Sequence, residues 1–388
     1  MLLLGKSQTN ISVALDVGTH AIKGVIVRSD GLQGHTEILK RIVVQLTPAH
    51  DPVRVAKVLH NLLFDLTKNL GQIPSKVVIG FGPNLGEISL ETWSVPMPES
   101  GKAAPLKDLS GSFTALFEKK RDTAHAWIAY PVHILVNGYV LPVQTSGDTL
   151  HAMFASLGSS VQDVSLRTVV SYFSADVGAL LGALKELFGG VPIEFVPLVA
   201  SYAETLIRQP ETRHAFLIDI GSSNTSMLLI KEQEFVQYGS FPFGSRQGAE
   251  RIEQVLGVSS AEAENLRRQY VHGLLNNSMK ARIAEILAET DEVWKNEFIQ
   301  GLTSFYHMGP LPVRVLLCGG GAYIPNIQSI LSGQDWFRDY SQASVPEIVV
   351  LEGKAMFQES APSGFLQGPE HAGIGSLVSH IIQHRAII

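Results

Sequence analysis

The chain is poor in cysteine: Cys318 is the only one among 388 residues. A single thiol excludes an internal disulfide framework and fits a reducing compartment. The sequence also lacks any uninterrupted apolar run near the roughly 18 residues that a transmembrane helix needs. Its apolar start, MLLL, is broken at once by Gly5 and Lys6, so it does not have the pattern of a secretory signal. These absences predict a cytoplasmic protein.

Basic charge is also scarce. The 30 Lys and Arg residues are outnumbered by 36 Asp and Glu, which gives a net charge of −6 and argues against nucleic acid as the main partner. The 13 histidines, His272 among them, show no evident metal-ligand spacing, so we expect surface or core roles from them. With 45% hydrophobic residues, the chain can form two domains, each with its own core.

Two Asp-x-Gly turns lie far apart in the chain, each between two apolar strands. The first follows the apolar run 11–15 and contributes Asp16, Gly18 and Thr19, with Lys23 in the next strand. The second follows the apolar run 215–218 and contributes Asp219, Gly221, Ser222, Ser223 and Thr225. Taken alone, either motif is also compatible with an ordinary hairpin turn.

The residue types in these turns suit a nucleotide phosphate. Glycine lets backbone N–H groups approach phosphate oxygens, and the serine and threonine hydroxyls add donors. Each aspartate can hold Mg²⁺ through water, because Mg²⁺ keeps several waters and uses few carboxylates. We expect the Lys23 ammonium to reach the β- and γ-phosphates.

A third motif is the run Gly319, Gly320 and Gly321, which follows an apolar strand at 313–318 and precedes a helix predicted at 326–331. Bare backbone here would let a flat ring or a phosphate lie close. By itself, this glycine-rich loop is equally compatible with contacting a ligand and with contacting none. The three motifs in this order are a stronger indication of nucleotide binding than any one of them.

The ordered motifs resemble the phosphate-1, phosphate-2 and adenosine motifs of actin-fold ATPases. The sequence ALDVGT at 14–19, followed by Lys23, is similar to the first loop of the FtsA/PilM family. Phe243 and Gly244, followed by 263–267, resemble the helix pair with which that family holds the nucleoside. The resemblance spans nearly the whole chain. It implies an α/β actin-like ATPase fold of duplicated ribonuclease H-like domains, with ATP and Mg²⁺ as ligands.

The resemblance also implies a division of the chain. The first actin-like domain takes 1–83 and 169–208, and an FtsA-type inserted subdomain occupies 84–168. The second domain is 209–370, with a nucleoside-binding subdomain at about 244–309, and a helix at 371–388 returns to the first domain.

In the insert we predict a helix near 112–122 and a hairpin at Asn137-Gly138. The family uses this subdomain for contacts with neighbouring protomers or partners. The alternative is that its hairpins are only scaffold.

Two further features concern the nucleoside and hydrolysis. Ser259 to Glu262 has capping-box spacing, and in the helix that follows Glu264 is expected to accept from the ribose while Arg267 flanks adenine. The alternative for these two residues is a solvated ion pair.

The family resemblance places Val196 where brisk ATPases have a water-orienting Gln or Glu, with Glu194 and Glu204 as nearby substitutes, so we expect slow hydrolysis.

At the C-terminus, Leu377, Val378, Ile381 and Ile382 are predicted to form one packed helix face, unlike the basic amphipathic tail by which FtsA binds lipid. We therefore expect membrane contact only through a partner, at the inner face of the membrane. The preferred interpretation is a self-associating FtsA-type scaffold in cell division. A PilM-like adaptor in type IV pilus assembly is the alternative, and a sugar or metabolite kinase is less favoured because no acceptor-site carboxylate motif is evident.

Overall fold

The computed structural model describes residues 9–30, 36–46, 52–68, 70, 72–94, 126–142, 163–187, 190–341, 345–357 and 364–384. The helix predicted near 112–122 lies outside these residues. Across the described ranges, no helix has both the length and the apolar character to cross a membrane.

Three sheets and their helices make up this described part. The strands are β1 (Thr9–Val17), β2 (Ala21–Asp30), β3 (Thr36–Gln45), β4 (Lys76–Phe81), β5 (Gly86–Ser94), β6 (Ala126–Val136), β7 (Tyr139–Pro142), β8 (Val164–Phe173), β9 (Ile193–Pro197), β10 (Ala215–Ile220), β11 (Thr225–Lys231), β12 (Glu234–Phe241), β13 (Arg314–Cys318) and β14 (Glu347–Val350). The helices are α1 (Pro52–Thr67), α2 (Ala175–Leu187), α3 (Leu198–Ile207), α4 (Arg246–Leu256), α5 (Ser260–Val271), α6 (Asn277–Leu302), α7 (Pro325–Ser332), α8 (Gln334–Tyr340) and α9 (Ala372–Gln383).

The first sheet has the order β3-β2-β1-β4-β9, with three antiparallel strands followed by two parallel ones. Strand β1 is buried on both faces, as its near-continuous apolar run predicts. Val13 and Leu15 pack toward α1 and α2. Ala14 between them joins the core between the two lobes, which are built on the first and the second five-stranded sheet. The antiparallel register places Asp16 directly opposite Lys23, so the hairpin itself brings these two charges together.

The second sheet repeats this architecture in the order β12-β11-β10-β13-β14. Its β10–β11 hairpin pairs Asp219 with Ser226 and Ile220 with Thr225. Both Asp-x-Gly turns therefore close the hairpin between the first two strands of a five-stranded sheet. The duplicated α/β organisation that the two motifs predicted is confirmed.

A third, antiparallel sheet has the order β5-β8-β6-β7. The β6–β7 turn has Asn137 at φ 49° and Gly138 at φ 81°, which confirms the predicted hairpin. Strand β8 extends to Phe173, past the boundary at 168 that we predicted for the insert. Arg167 of β8 pairs with Glu234 of β12, so this sheet contacts the second lobe.

Helix α9 packs back on the first lobe beside α3, and every residue from Ala372 to Ile381 is buried. The predicted apolar face is confirmed: Leu377, Val378 and Ile381 belong to the interlobe core, and Ile382 packs against it. Removing such a buried leucine side chain typically costs about 2 to 5 kcal/mol.

Candidate functional site

The two Asp-x-Gly turns contact each other where the two lobes face. Ser223 Oγ donates to Thr19 Oγ1 at 3.2 Å, although these residues are 204 positions apart in the chain. In each turn the glycine N–H donates to the carbonyl oxygen three residues later. A Cβ on Gly18 or Gly221 would lie within 3.0 Å of that oxygen, so both tight turns need glycine.

Asp16 and Lys23 form a partly buried ion pair beneath the first turn. Asp16 is only 4% exposed, and its Oδ2 lies 3.1 Å from Lys23 Nζ. The same ammonium donates to the carbonyl oxygen of Glu370 at 2.6 Å. Lys23 is thus held at the cleft by the first strand and by the segment before α9, at the end of the sheet where we predicted phosphate contacts.

Asp219 lies at the corresponding place in the second lobe and accepts a hydrogen bond from the Tyr202 hydroxyl at 3.0 Å. Burial raises the pKa of Asp219 to about 6, and the nearby Asp16 acts in the same direction, against the lowering effects of Tyr202 and Lys23. Burial and a second carboxylate both disfavour the ionised form of Asp219, so a cation bound at this place would stabilise that form. Asp16 and Asp219 therefore fit the expected water-mediated Mg²⁺ site.

The three consecutive glycines have different surroundings. Gly319 has φ +85°, and a Cβ there would lie 2.3 Å from Asp219 Oδ1. A Cβ on Gly321 would lie 2.3 Å from the Ile220 side chain. No atom lies within 4 Å of the Cβ position of Gly320. Gly319 and Gly321 thus permit packing against the second turn, while Gly320 presents bare backbone.

Gly244 and the start of α4 cover the second turn from the other side. A Cβ on Gly244 would lie 2.6 Å from the carbonyl oxygens of both Gly221 and Ser222. The N–H groups of Ser245 and Arg246 donate to these same two oxygens, at 2.9 and 2.8 Å. The turn is therefore rigidly held by the backbone that leads into α4.

Thr225 differs from the other predicted hydroxyl donors because it is fully buried. Its Oγ1 donates to the carbonyl oxygen of Phe243 at 2.7 Å and accepts from the Trp294 indole at 3.0 Å. These bonds anchor the second hairpin to the segment before α4, through Phe243, and to α6, through Trp294.

The predicted nucleoside residues form a partly buried ion pair on α5. Arg267 is 8% exposed and binds Glu264 through two hydrogen bonds of 2.8 and 2.9 Å. Burial raises the pKa of Glu264, but the bonds and charges of Arg267 and Arg268 outweigh burial and lower it. Arg267 also lines a small cavity between helices α4, α5 and α6 and the start of α7. The residues that line the same cavity include Gly244, Gly248, Asp291, Ile324 and Ile327.

His20, which the sequence pattern did not single out, lies in the first turn and is within electrostatic range of this ion pair. Burial lowers its pKa, Glu264 raises it, and Arg268, Arg267 and Arg246 lower it. The charges of the residues predicted to contact the nucleoside therefore act on His20 in the first turn. No local pattern marks His20, because its neighbours come from a segment more than two hundred residues later.

Tyr202 and Gly373 were also missed. A Cβ on Gly373 would lie 3.1 Å from Asp16 Oδ2 and 3.3 Å from the Tyr202 hydroxyl, which in turn binds Asp219. The Tyr202 hydroxyl therefore binds Asp219 and is close enough to Asp16 that burial first, and then both carboxylate charges, raise its pKa. In the sequence it is only one more aromatic residue of a largely apolar helix, and Gly373 indicated only a tightly packed return helix.

The position expected to orient an attacking water is occupied by Val196, an apolar side chain that is fully buried. The two nearby carboxylates have other partners. Glu194 binds Lys76 and His380, and Glu204 binds His380 among others. Neither glutamate is directed to the Asp-x-Gly turns by any of these contacts.

Comparison with family models and with curated proteins found no match. Among solved structures, a chain of the PilM-PilN type IV pilus biogenesis complex aligns over 96% of this chain and 98% of that chain, with a TM-score of 0.65 and 16% identity. This protein has the actin-like ATPase fold.

Other solved structures align with lower scores. EutJ, an ethanolamine utilization protein from Carboxydothermus hydrogenoformans, covers 95% of this chain and 88% of its own, with a TM-score of 0.46 and 12% identity. MreB5 of Spiroplasma citri bound to AMPPNP covers 88% of this chain and 92% of its own, with a TM-score of 0.41 and 13% identity.

Proposed function

We propose that this actin-like protein binds Mg-ATP between its lobes and acts as a PilM-like adaptor for a membrane-bound partner in type IV pilus assembly. The observation that carries the proposal is the nearly full-length alignment with the PilM-PilN complex at a TM-score of 0.65. It supports the pilus alternative better than the cell-division scaffold that we preferred from the sequence. The sequence resemblance in the first loop and in 84–168 is to FtsA and PilM alike, so it does not separate the two functions.

The residues that would hold the nucleotide come from both lobes. The backbones of Gly18, Gly221 and Gly320 and the side chain of Lys23 are suited to phosphate oxygens. The bound nucleotide would supply the negative charge that attracts Mg²⁺ to the two carboxylates beneath the turns. Glu264 and Arg267, beside Gly244, remain the proposed ribose and adenine contacts.

Nucleotide binding would control the angle between the lobes. Ser223 and Thr19 contact each other directly at 3.2 Å, so phosphates entering between the two turns would have to replace this bond. Such an exchange couples the ligand to a rigid-body movement of the lobes. We propose that this movement regulates partner binding, with hydrolysis playing a minor part because Val196 cannot orient water. Steady-state turnover is expected far below the typical enzyme value of about 10 s⁻¹.

The nucleotide site is tested by isothermal titration of ATP into the full chain, with and without Mg²⁺. With Mg²⁺ present, Asp219→Ala should lower ATP affinity at least about tenfold, which corresponds to about 1.4 kcal/mol. Asp335→Ala, at an exposed aspartate of α8, is the matched control and should bind as the wild type does. The site assignment fails if the wild type does not bind ATP or if Asp219→Ala binds equally well.

The partner is tested separately. The full chain should bind the cytoplasmic peptide of a PilN-like membrane protein from the same organism, and a scrambled peptide should not bind. Binding would place the protein at the inner face of the membrane through that partner. If the peptide does not bind and a cell-division filament protein does, the pilus function is wrong and the division function replaces it.

A further inference from the structure

A second polar cluster lies between α3, the end of α9 and strand β6. It consists of Glu204, His380 and His384, and each of the three has one potential ligand atom within 4.8 Å of the other two. Glu204 is 5% exposed and His380 is fully buried. Glu204 lies about 200° around α3 from Tyr202, since an α-helix turns about 100° per residue. The cluster is therefore on a different face of α3 from the nucleotide cleft.

The distances within the cluster match those between ligands of one small metal ion. His380 Nδ1 lies 2.9 Å from Glu204 Oε2, and His384 Nε2 lies 3.3 Å from Glu204 Oε1. Tetrahedral Zn²⁺ with bonds of about 2.0 to 2.1 Å places its ligand atoms about 3.3 Å from each other. The two imidazole rings are tilted by 35° relative to each other, with ring centroids 4.2 Å apart.

The surrounding contacts are those of a metal-binding histidine. The second ring nitrogen of His380, Nε2, lies 3.2 Å from Glu194 Oε1, and Glu194 also pairs with Lys76. A metal-bound histidine usually donates its other N–H to a carboxylate, which holds the ring and its tautomer. The Tyr130 hydroxyl donates to Glu204 Oε1 at 2.9 Å and so orients the carboxylate.

We propose that Glu204, His380 and His384 form a Zn²⁺ site that joins the C-terminal helix α9 to helix α3. Two imidazole ligands with one carboxylate favour zinc over Mg²⁺ or Ca²⁺, which bind oxygen. His380 and His384 are four residues apart, so they share one face at the end of α9. His384 has a side chain that is 28% exposed, which leaves a route from solvent to the ion. The bound ion would hold α9 against α3 independently of nucleotide.

The test uses the full chain after removal of metal with a chelator. Zn²⁺ is titrated calorimetrically, and metal content is measured by mass spectrometry after gel filtration. The wild type should bind one equivalent, and His384→Ala should bind at least about a hundredfold more weakly while staying folded, because His384 is partly exposed. His214→Ala, at an exposed histidine beside Glu232, is the control and should keep wild-type affinity.

A variant outside the ligand set makes the test more specific. Glu194→Gln should weaken Zn²⁺ binding about 10- to 100-fold, as the loss of a hydrogen-bonded partner of a ligand does. If the wild type binds no Zn²⁺, or if His384→Ala binds as the wild type does, the proposal is wrong. The cluster is then a hydrogen-bonded network in which a protonated His380 lies between two carboxylates.

Discussion

At the scale of single residues, two adjacent glycines have different roles: Gly319 is needed for packing, and Gly320 is proposed to contact the nucleotide. Gly319→Ala should lower the free energy of unfolding by several kcal/mol, because it combines strain at φ +85° with a Cβ 2.3 Å from Asp219. Gly320→Ala meets open space and should leave the melting temperature nearly unchanged. If the nucleotide lies on this bare backbone, Gly320→Ala should still lower ATP affinity. Thermal unfolding and ATP titration of both variants check these expectations.

The interpretation of the loop would be wrong in either of two cases. Equal melting temperatures for the two variants would show that Gly319 is not needed for packing. Wild-type ATP affinity in Gly320→Ala would show that the nucleotide does not contact this backbone.

His133 should make stability depend on pH. The Phe235 N–H donates to His133 Nε2 at 2.9 Å, a bond that requires an unprotonated nitrogen. Burial, and then the charge of Arg167, lower the pKa of His133 from 6.5 to about 4. Between these two values the unfolded chain binds more protons than the folded chain, so stability falls as pH drops through this window and is unaffected above it. The full loss is roughly 3 kcal/mol at about 1.4 kcal/mol per pKa unit.

The His133 prediction is checked by urea unfolding at several pH values between 4 and 7. His133→Gln keeps a side-chain acceptor for Phe235 but cannot titrate, so its stability should fall less than that of the wild type as the pH decreases. His214→Gln, at an exposed site, should follow the wild type. Parallel curves for His133→Gln and the wild type would contradict the prediction.

Residues within a few positions of each other were predictable, and residues joined only by folding were not. Asp16 and Lys23 belong to one hairpin, so the alternation of its strands already predicts that they lie close together. Tyr202 binds Asp219 only because α3 packs between the lobes. We expected no metal-ligand spacing among the histidines. His380 and His384 are four residues apart on a helix, but this spacing indicates a metal site only once Glu204 is known to lie beside them.

At the scale of elements, the capping box of α5 was predicted and is present. Ser259 Oγ accepts from the Glu262 N–H, and the Glu262 carboxylate accepts from the Ser259 N–H. Ser259→Ala removes the first of these bonds and should lower the free energy of unfolding by about 1 kcal/mol. Ser278→Ala, at an exposed serine in the first turn of α6, is the control and should change stability little. Equal melting temperatures for the two variants would contradict a capping role.

The limits of the third sheet were harder to predict than the cap. Its central strand β8 continues to Phe173 because it pairs along its whole length with β5 on one side and β6 on the other. The sequence around 168 has no glycine or proline to mark a boundary. Strand length here depends on partners that are distant in the chain, so only the assembled sheet shows where the element ends.

At the scale of the whole molecule, the two candidate functions predict different assembly. A PilM-like adaptor should stay small in sedimentation velocity as its concentration rises with ATP, and should change size only when the partner peptide is added. An FtsA-type scaffold has a head-to-tail contact that does not close, so it should form filaments with ATP. We expect the first result. Filaments that grow with ATP and without peptide would contradict the adaptor function.

The sequence by itself determined the two hairpins, the placement of Asp16 and Asp219 beside glycine, the cap of α5 and the duplicated α/β order. These features depend on backbone geometry and hydrogen bonds within a few residues, and the residue types encode them directly. The tertiary structure decided that Thr19 contacts Ser223, that Tyr202 binds Asp219 and that Glu204 binds His380. Those contacts require two lobes and a returning helix to pack against each other, and the energy of that packing comes from apolar surfaces that no short segment contains.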